Sequence, residues 1–178
     1  MNTLEDLLLI EMSRRNTDAV VDIILQKKEL FAELFSIFAG NTEPASRRAA
    51  WVIDLASEKE PELIAPYLDE LAALLPVFRH DGLKRHTLRI LARSPLPSGE
   101  RLGRLVNLCF EWLLSPQEAV AAKVCCMDLL YRVSLSEPDI RQELADSIEY
   151  RMLEESPGFR NRAQKMLSRL FKEPGSRG

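Results

Sequence analysis

Few residues of this 178-residue chain have the chemistry to form a reactive or ligating centre, and they are scattered. There are two histidines, His80 and His86, and three cysteines, Cys109, Cys125 and Cys126. A metal site needs several donors converging at fixed spacing, and neither histidine has a carboxylate or cysteine at such a spacing. The interval between the rings puts them on different faces of a helix, so both read as surface histidines. Cys125 and Cys126 point about 100° apart on a helix and are badly placed to bond each other. All three cysteines fall in apolar helical pattern and read as free core thiols. The acids of Asp69-Glu70, Glu137-Pro138-Asp139 and Glu154-Glu155 raise the question of general acid–base chemistry. Neighbours on a helix diverge, however, and these sit near helix ends where carboxylates are solvated. A glycine-rich phosphate loop, a Cys-x-x-Cys pair and a Gly-x-Ser-x-Gly elbow are all missing. Trp51 and Trp112 would serve as ligand platforms, yet each adjoins a core-patterned residue, Val52 or Leu113, and reads as packing. No catalytic residue, metal site or cofactor is expected.

Composition narrows the class. Hydrophobic residues make up 46% and charged residues 29%, which permits an ordinary folded core and excludes general disorder. The formal charge of -3 gives no global pull toward nucleic acid or anionic lipid. No apolar run approaches the roughly 18 residues of a membrane span, since Leu7-Leu8-Leu9-Ile10 lies between Asp6 and Glu11. The opening residues Met1 to Asp6 lack the basic start of a signal peptide, so no membrane association and a cytoplasmic location are expected.

The elements that must position these residues are helices. Apolar residues recur at i, i+3 and i+4 nearly throughout, with no period-2 stretch between turn residues. Breakers at Asn16-Thr17, Gly40-Asn41-Thr42, Glu60-Pro61, His80-Asp81-Gly82, 94–99, Ser115-Pro116, Glu137-Pro138 and Ser156-Pro157-Gly158 predict segments at 3–15, 17–39 (broken near Lys27-Lys28), 44–58, 61–78, 82–93, 98–115, 116–134, 138–155 and 158–172. Ser115-Pro116-Gln117-Glu118 reads as the best helix start, with a serine cap, a first-turn proline and a glutamate at the third position, and Ser156-Pro157 repeats the cap and proline.

The chain also copies itself. Ser57-Glu58-Lys59-Glu60-Pro61-Glu62-Leu63 aligns with Ser134-Leu135-Ser136-Glu137-Pro138-Asp139-Ile140, each between the end of one apolar helix and the start of another. Taking the earlier helix of each pair as A and the later as B, Val52, Leu55 and Ala56 correspond to Leu88, Leu91 and Ala92, to Cys126, Leu129 and Leu130, and to Ala163, Met166 and Leu167. In the B helices Leu63, Leu68 and Leu71 match Leu30, Phe35 and Phe38, and Ile140, Ala145 and Ile148. Self-similarity at this period means helical hairpins that stack because none buries its apolar face alone.

A helix–turn–helix unit of this length resembles a HEAT-like repeat of the armadillo-type class. Residues 47–56 followed by 61–71 carry the resemblance most strongly, and it extends loosely over 17–172. Tetratricopeptide repeats share the period but not the tryptophan, glycine, tyrosine and proline positions, and an up-and-down bundle would not need the internal copy. The signature of the all-helical fumarase-like lyases is absent. The resemblance implies an all-α fold, a right-handed α-α superhelix of about four hairpins, forming a single domain over 1–172. Residues 1–16 would be an N-terminal capping helix in which Leu4, Leu7, Leu8 and Met12 cover the end of the stack, and 173–178 a flexible tail. The family often carries an aspartate late in helix A. Asp54 and Asp128 fit, whereas Ile90 takes that place in the middle unit and weakens any continuous polar ladder.

Charge segregates between the helices. From residue 44 onward the A helices are rich in cations and the B helices in acids, the one at 98–115 being balanced, which in a two-layer stack gives a basic and an acidic face, unless the charges simply pair and solvate the outside. In HEAT stacks the B layer usually lines the concave surface, so the resemblance implies a non-enzymatic interaction module. Its acidic concave face, with Asp69, Glu70, Asp139, Glu143 and Asp146, would receive a basic peptide or protein. The alternative is nucleic-acid binding through Arg48, Lys84, Arg85, Arg89, Arg162 and Lys165; some alkylpurine glycosylases resemble HEAT stacks and hold DNA on such a face. The expected state is monomer or homodimer.

Overall fold

The structure, a computed structural model, describes residues 2–172; the tail at 173–178 lies outside them. Ten α-helices and no strand are found among the described residues. They are α1 (Leu4–Leu9), α2 (Arg14–Gln26), α3 (Phe31–Ala39), α4 (Ala45–Lys59), α5 (Leu68–Leu74), α6 (Asp81–Arg93), α7 (Gly99–Leu114), α8 (Val120–Ser136), α9 (Arg141–Met152) and α10 (Pro157–Leu170). The chain divides into two compact units, Met1–Pro95 and Leu96–Gly178.

The repeat is written in the backbone of the A-to-B corners. Lys27, Glu60 and Glu137 follow α2, α4 and α8 with nearly the same dihedrals, φ -127, -130 and -120° and ψ 73, 88 and 76°. Each closes its helix by donating its N–H to the carbonyl four residues back, on Ile23, Ala56 and Val133. Each then opens a 3-10 turn, at Lys28–Leu30, Pro61–Leu63 and Pro138–Ile140. Proline at the first turn position loses nothing there, because that amide has no partner within the turn. The corner after α6 differs: Ser94 is extended and Ser94-Pro95-Leu96-Pro97-Ser98 forms no such turn, and the boundary between the two units falls within it.

Several expected helices are shorter than the periodicity implies. The segment 3–15 is not one helix. Thr3 caps α1 in a reciprocal capping box with Asp6, and Ser13 starts α2 afresh by accepting from the Asn16 N–H at 3.0 Å. Ile10 and Met12 fall in the link and are exposed, so Met12 does not help cover an apolar end. The segment 61–78 keeps only α5 as α-helix, flanked by 3-10 turns at Pro61–Leu63, Ala65–Tyr67 and Leu75–Val77, because Pro61, Pro66 and Pro76 each remove a donor and crowd the preceding turn. α8 starts at Val120, not 116. The Ser115 hydroxyl accepts from the Gln117 N–H at 3.2 Å, a local turn that competes with the helix it was expected to cap. Ser156-Pro157 does cap α10 as read.

Both units have tight cores. In the first, Phe31, Phe35, Phe38, Tyr67 and Phe78 form one aromatic cluster, with Phe35 and Tyr67 ring centres 4.4 Å apart and Phe38 edge-on to Phe78 at 5.1 Å. Buried Ser46 ties α3 to α4, donating to the Ile37 carbonyl and accepting from the Thr42 N–H. In the second, Cys109, Leu113, Cys126, Leu129, Leu130, Leu144, Ile148, Phe159 and Ala163 are fully buried. The A-helix register reads through most of both units: Val52, Ala56, Leu88, Leu91, Cys126, Leu129, Leu130, Ala163 and Met166 are buried, whereas Leu55, Ala92 and Leu167 are half-buried.

Candidate interaction surface

α9 turns one face inward and leaves the other open to solvent. Leu144, Ala145, Ser147, Ile148 and Arg151 face inward, whereas Gln142, Glu143, Asp146, Glu149, Tyr150 and Leu153 are exposed. At about 100° per residue the exposed set, with Asp139 of the preceding turn, falls within a third of the helix circumference. It makes one straight stripe about 21 Å long at a rise of about 1.5 Å per residue. No cation stands among these residues: Asp139, Glu143, Asp146 and Glu149 run along it, and Gln142 donates to Asp146 at 2.8 Å. The stripe ends in Tyr150 and Leu153, which are 59% and 76% exposed.

A buried polar cluster fixes that end. Lys123, in the first turn of α8, and Arg151, late in α9, both donate to Glu155 Oε1 in the α9–α10 link. The Lys123 side chain is 3% exposed, that of Arg151 5% and that of Glu155 6%. Burial alone would push the Glu155 carboxyl up; hydrogen bonds from Lys123 and Arg151, with their charge, outweigh it and hold the carboxyl below its usual range. Arg160 Nε reaches back to the Met152 carbonyl at 2.9 Å and satisfies one of the orphan acceptors at the end of α9. The Lys123–Glu155 contact also brings the start of α8 to the end of α9, and α8 follows directly from the end of α7.

The first unit holds a different cluster. Asp54, 1% exposed, accepts from Arg93 Nη1 at 2.6 Å and from His86 Nδ1 at 2.7 Å, with Arg89 Nε at 3.3 Å. Arg93 Nη2 also donates to the Asp54 carbonyl and to Ser57 Oγ. His86 is buried, with Trp51 stacked on its ring at 6.3 Å, so it is not the surface histidine expected from sequence. Arg85 has only donors to offer at His86 Nε2, 3.4 Å away, which leaves the ring proton on Nδ1 facing the carboxylate. Burial pushes the Asp54 carboxyl up, but hydrogen bonds from His86 and Arg93 and the Arg93 charge win and hold it below its ordinary value. Both Asp54 oxygens are thus committed inside the protein. His80, by contrast, caps α6 through Nδ1, which accepts from the Gly82 N–H.

The second unit repeats this rung in weaker form. Asp128, at the position of Asp54 in its A helix, accepts from Arg162 of the next A helix at 3.1 Å, while Arg169 stacks over the Tyr131 ring at 4.2 Å. Burial wins at Asp128, whose carboxyl is raised despite Arg162. Ile90 is buried and apolar and supplies no rung. A profile of the HEAT repeat domain matches residues 4–170.

The chain belongs to the HEAT repeat domain family. The match covers α1 through α10, and HEAT repeats are typically non-catalytic scaffolds that mediate protein interactions. No curated protein and no solved structure matches the chain.

Within this HEAT domain the two expected charged faces fare differently. Asp139, Glu143 and Asp146 share the α9 stripe, and Asp69 and Glu70 are exposed on α5 of the other unit. Among the expected basic residues, Lys84 is buried at 8% exposure and drops out of any exposed face. Arg48 donates to the Leu8 carbonyl, Arg89 and Arg162 serve the two aspartate rungs, and Arg85 contacts His86, whereas Lys165 is exposed. Tyr150 and Leu153 were not singled out from sequence, although the signal is present: they lie four and seven residues beyond Asp146, on the polar side of α9. The three cysteines form no disulfide; Cys109 and Cys126 are buried, and the hydrogen bond between them together with burial pushes the Cys126 thiol well up. Among the described residues no group of side chains could hold a metal, and no helix is long and apolar enough to cross a membrane.

Proposed function

We propose that this HEAT domain is a non-enzymatic interaction module whose α9 face receives a basic segment of a protein partner. One observation carries the reading: four acids and no cation line an exposed helix face that ends in two exposed apolar side chains. Surface acids with internal partners would only solvate the molecule. Here Arg151 of α9 is turned inward, Arg141 reaches back to the Ser134 carbonyl and Arg160 of α10 folds onto the corner, so the stripe keeps its negative potential. Acids arranged in this way steer a basic partner and set its orientation, while exposed apolar groups supply the affinity. The competing nucleic-acid reading loses support because most of its residues already serve internal carboxylates, carbonyls or a histidine ring.

The test is fluorescence anisotropy with a labelled lysine–alanine helical peptide against the full chain and against a variant carrying Asp139→Lys, Glu143→Lys and Asp146→Lys. All three positions are exposed, so the variant should keep its helical circular dichroism. Binding that weakens with salt and is lost in the variant is expected. Equal binding by the two proteins would overturn the assignment of the face.

A further inference from the structure

The end of the stripe carries information about the partner beyond its charge. Tyr150 and Leu153 are held out by a corner built from buried ions: Lys123 and Arg151 converge on Glu155, and Arg160 secures the last turn of α9. An exposed tyrosine and leucine on such a fixed support lose little freedom on binding, and so suit an anchor. The acids sit on the other side of this anchor, from Glu149 back to Asp139, and none of the exposed positions of α9 beyond Glu149 is charged before Glu154.

Resting on the reading of α9 as a docking face for a basic segment, we infer that the occupant is a basic helix with apolar residues in its first turn and cations following at helical spacing. The acids at 139, 143, 146 and 149 recur every three or four residues, the period at which a helix lying alongside would present lysines or arginines. Helix polarity sets the order. The carboxyl end of α9 lies at the Tyr150–Leu153 edge, where exposed Glu154 adds to the partial negative charge of the last carbonyls and offsets Arg160, which favours the amino end of the incoming helix there. The partner's apolar residues then meet Tyr150 and Leu153, and its later cations meet the acids in turn. A helix entering the other way would put its own partial negative end at that edge.

Three labelled 16-residue lysine–alanine peptides test this: one with a leucine–tryptophan pair in the first turn, one with the pair in the last turn, and one without it. Each is titrated with the full chain and with a Tyr150→Ser, Leu153→Ser double variant. The first-turn peptide is expected to bind about tenfold tighter than the plain one, a gain of the size that burying one large apolar side chain supplies. The double variant should erase that gain and keep the weak salt-sensitive binding. An equal gain for the last-turn peptide, no gain from either pair, or a gain that survives in the double variant would each overturn the inference while leaving the acidic face standing. If none of the peptides binds at low salt, the acidic-face reading fails, and this inference with it.

Discussion

Asp54 and Asp128 occupy the same place in their repeats but differ in what surrounds them. Asp54 is enclosed and meets His86, Arg89 and Arg93; Asp128 keeps 37% of its side chain exposed and meets Arg162. Removing one partner of a buried ion pair leaves the others without counter-charge and costs about 3–5 kcal/mol, whereas an exposed pair contributes about 0–1 kcal/mol. Asp54→Ala should therefore lose about 3 kcal/mol in urea unfolding at neutral pH, since the partly exposed arginines can still reach water, and Asp128→Ala less than about 1 kcal/mol. The pH dependence has a definite sign. The folded-state carboxyl of Asp54 lies below its ordinary value, so its contribution is present above the ordinary aspartate range, near pH 4, and is lost as pH falls through the lower folded value. The gap between wild type and Asp54→Ala should thus narrow in acid. A gap that is constant from pH 7 down through the acid range would contradict the assignment of charge to this rung.

At the scale of elements the corner between α9 and α10 invites a comparison within one cluster. Two buried cations share one buried carboxylate, so its members are not equivalent. Lys123→Met leaves Arg151 paired with Glu155 and puts an apolar side chain of similar size in an enclosed site, a change close to neutral. Glu155→Gln strands Lys123 and Arg151 together without their shared counter-charge and should cost about 3–5 kcal/mol. Thermal unfolding of the two variants should separate them clearly, and equal shifts would mean the pair with Lys123 carries the corner by itself. Sequence foreshadowed some of these elements and not others. The corners at Lys27, Glu60 and Glu137 were readable because proline and helix-ending patterns mark them locally, as was the serine cap of α10. The segment from Pro61 to Phe78 kept a helical apolar period while three prolines broke its hydrogen bonding, and periodicity does not register a missing donor. Asp54–His86 and Lys123–Glu155 join residues 32 apart, so neither was visible as a local motif. The acids of α9 were legible as a charge pattern, but Tyr150 and Leu153 look like core residues until the buried side of the helix is known.

On the scale of the whole molecule, stability in a repeat protein is a sum over neighbours, so damage should spread along contacts and not uniformly. α10 provides the clearest test. Its apolar stripe, Phe159, Ala163, Met166 and Leu170, packs on α8 and α9, while its other side bears Arg160, Arg162, Lys165 and Arg169. The Phe159 side chain is fully buried, and Phe159→Ala removes its contacts and leaves a cavity, at a cost of about 3–5 kcal/mol. If the units are coupled only to their neighbours, amide exchange in this variant rises first in α10, next in α8 and α9, and last in α7, which packs on α8 and α9. The A-helix rung to Arg162 and the stacking of Arg169 on Tyr131 should loosen with α10, so the fluorescence of Tyr131 and its neighbours would change before that of Trp112 on α7. A single cooperative loss of protection at one rate from α7 through α10 would instead mean that the second unit has one indivisible core, and the nearest-neighbour description would have to be abandoned for it.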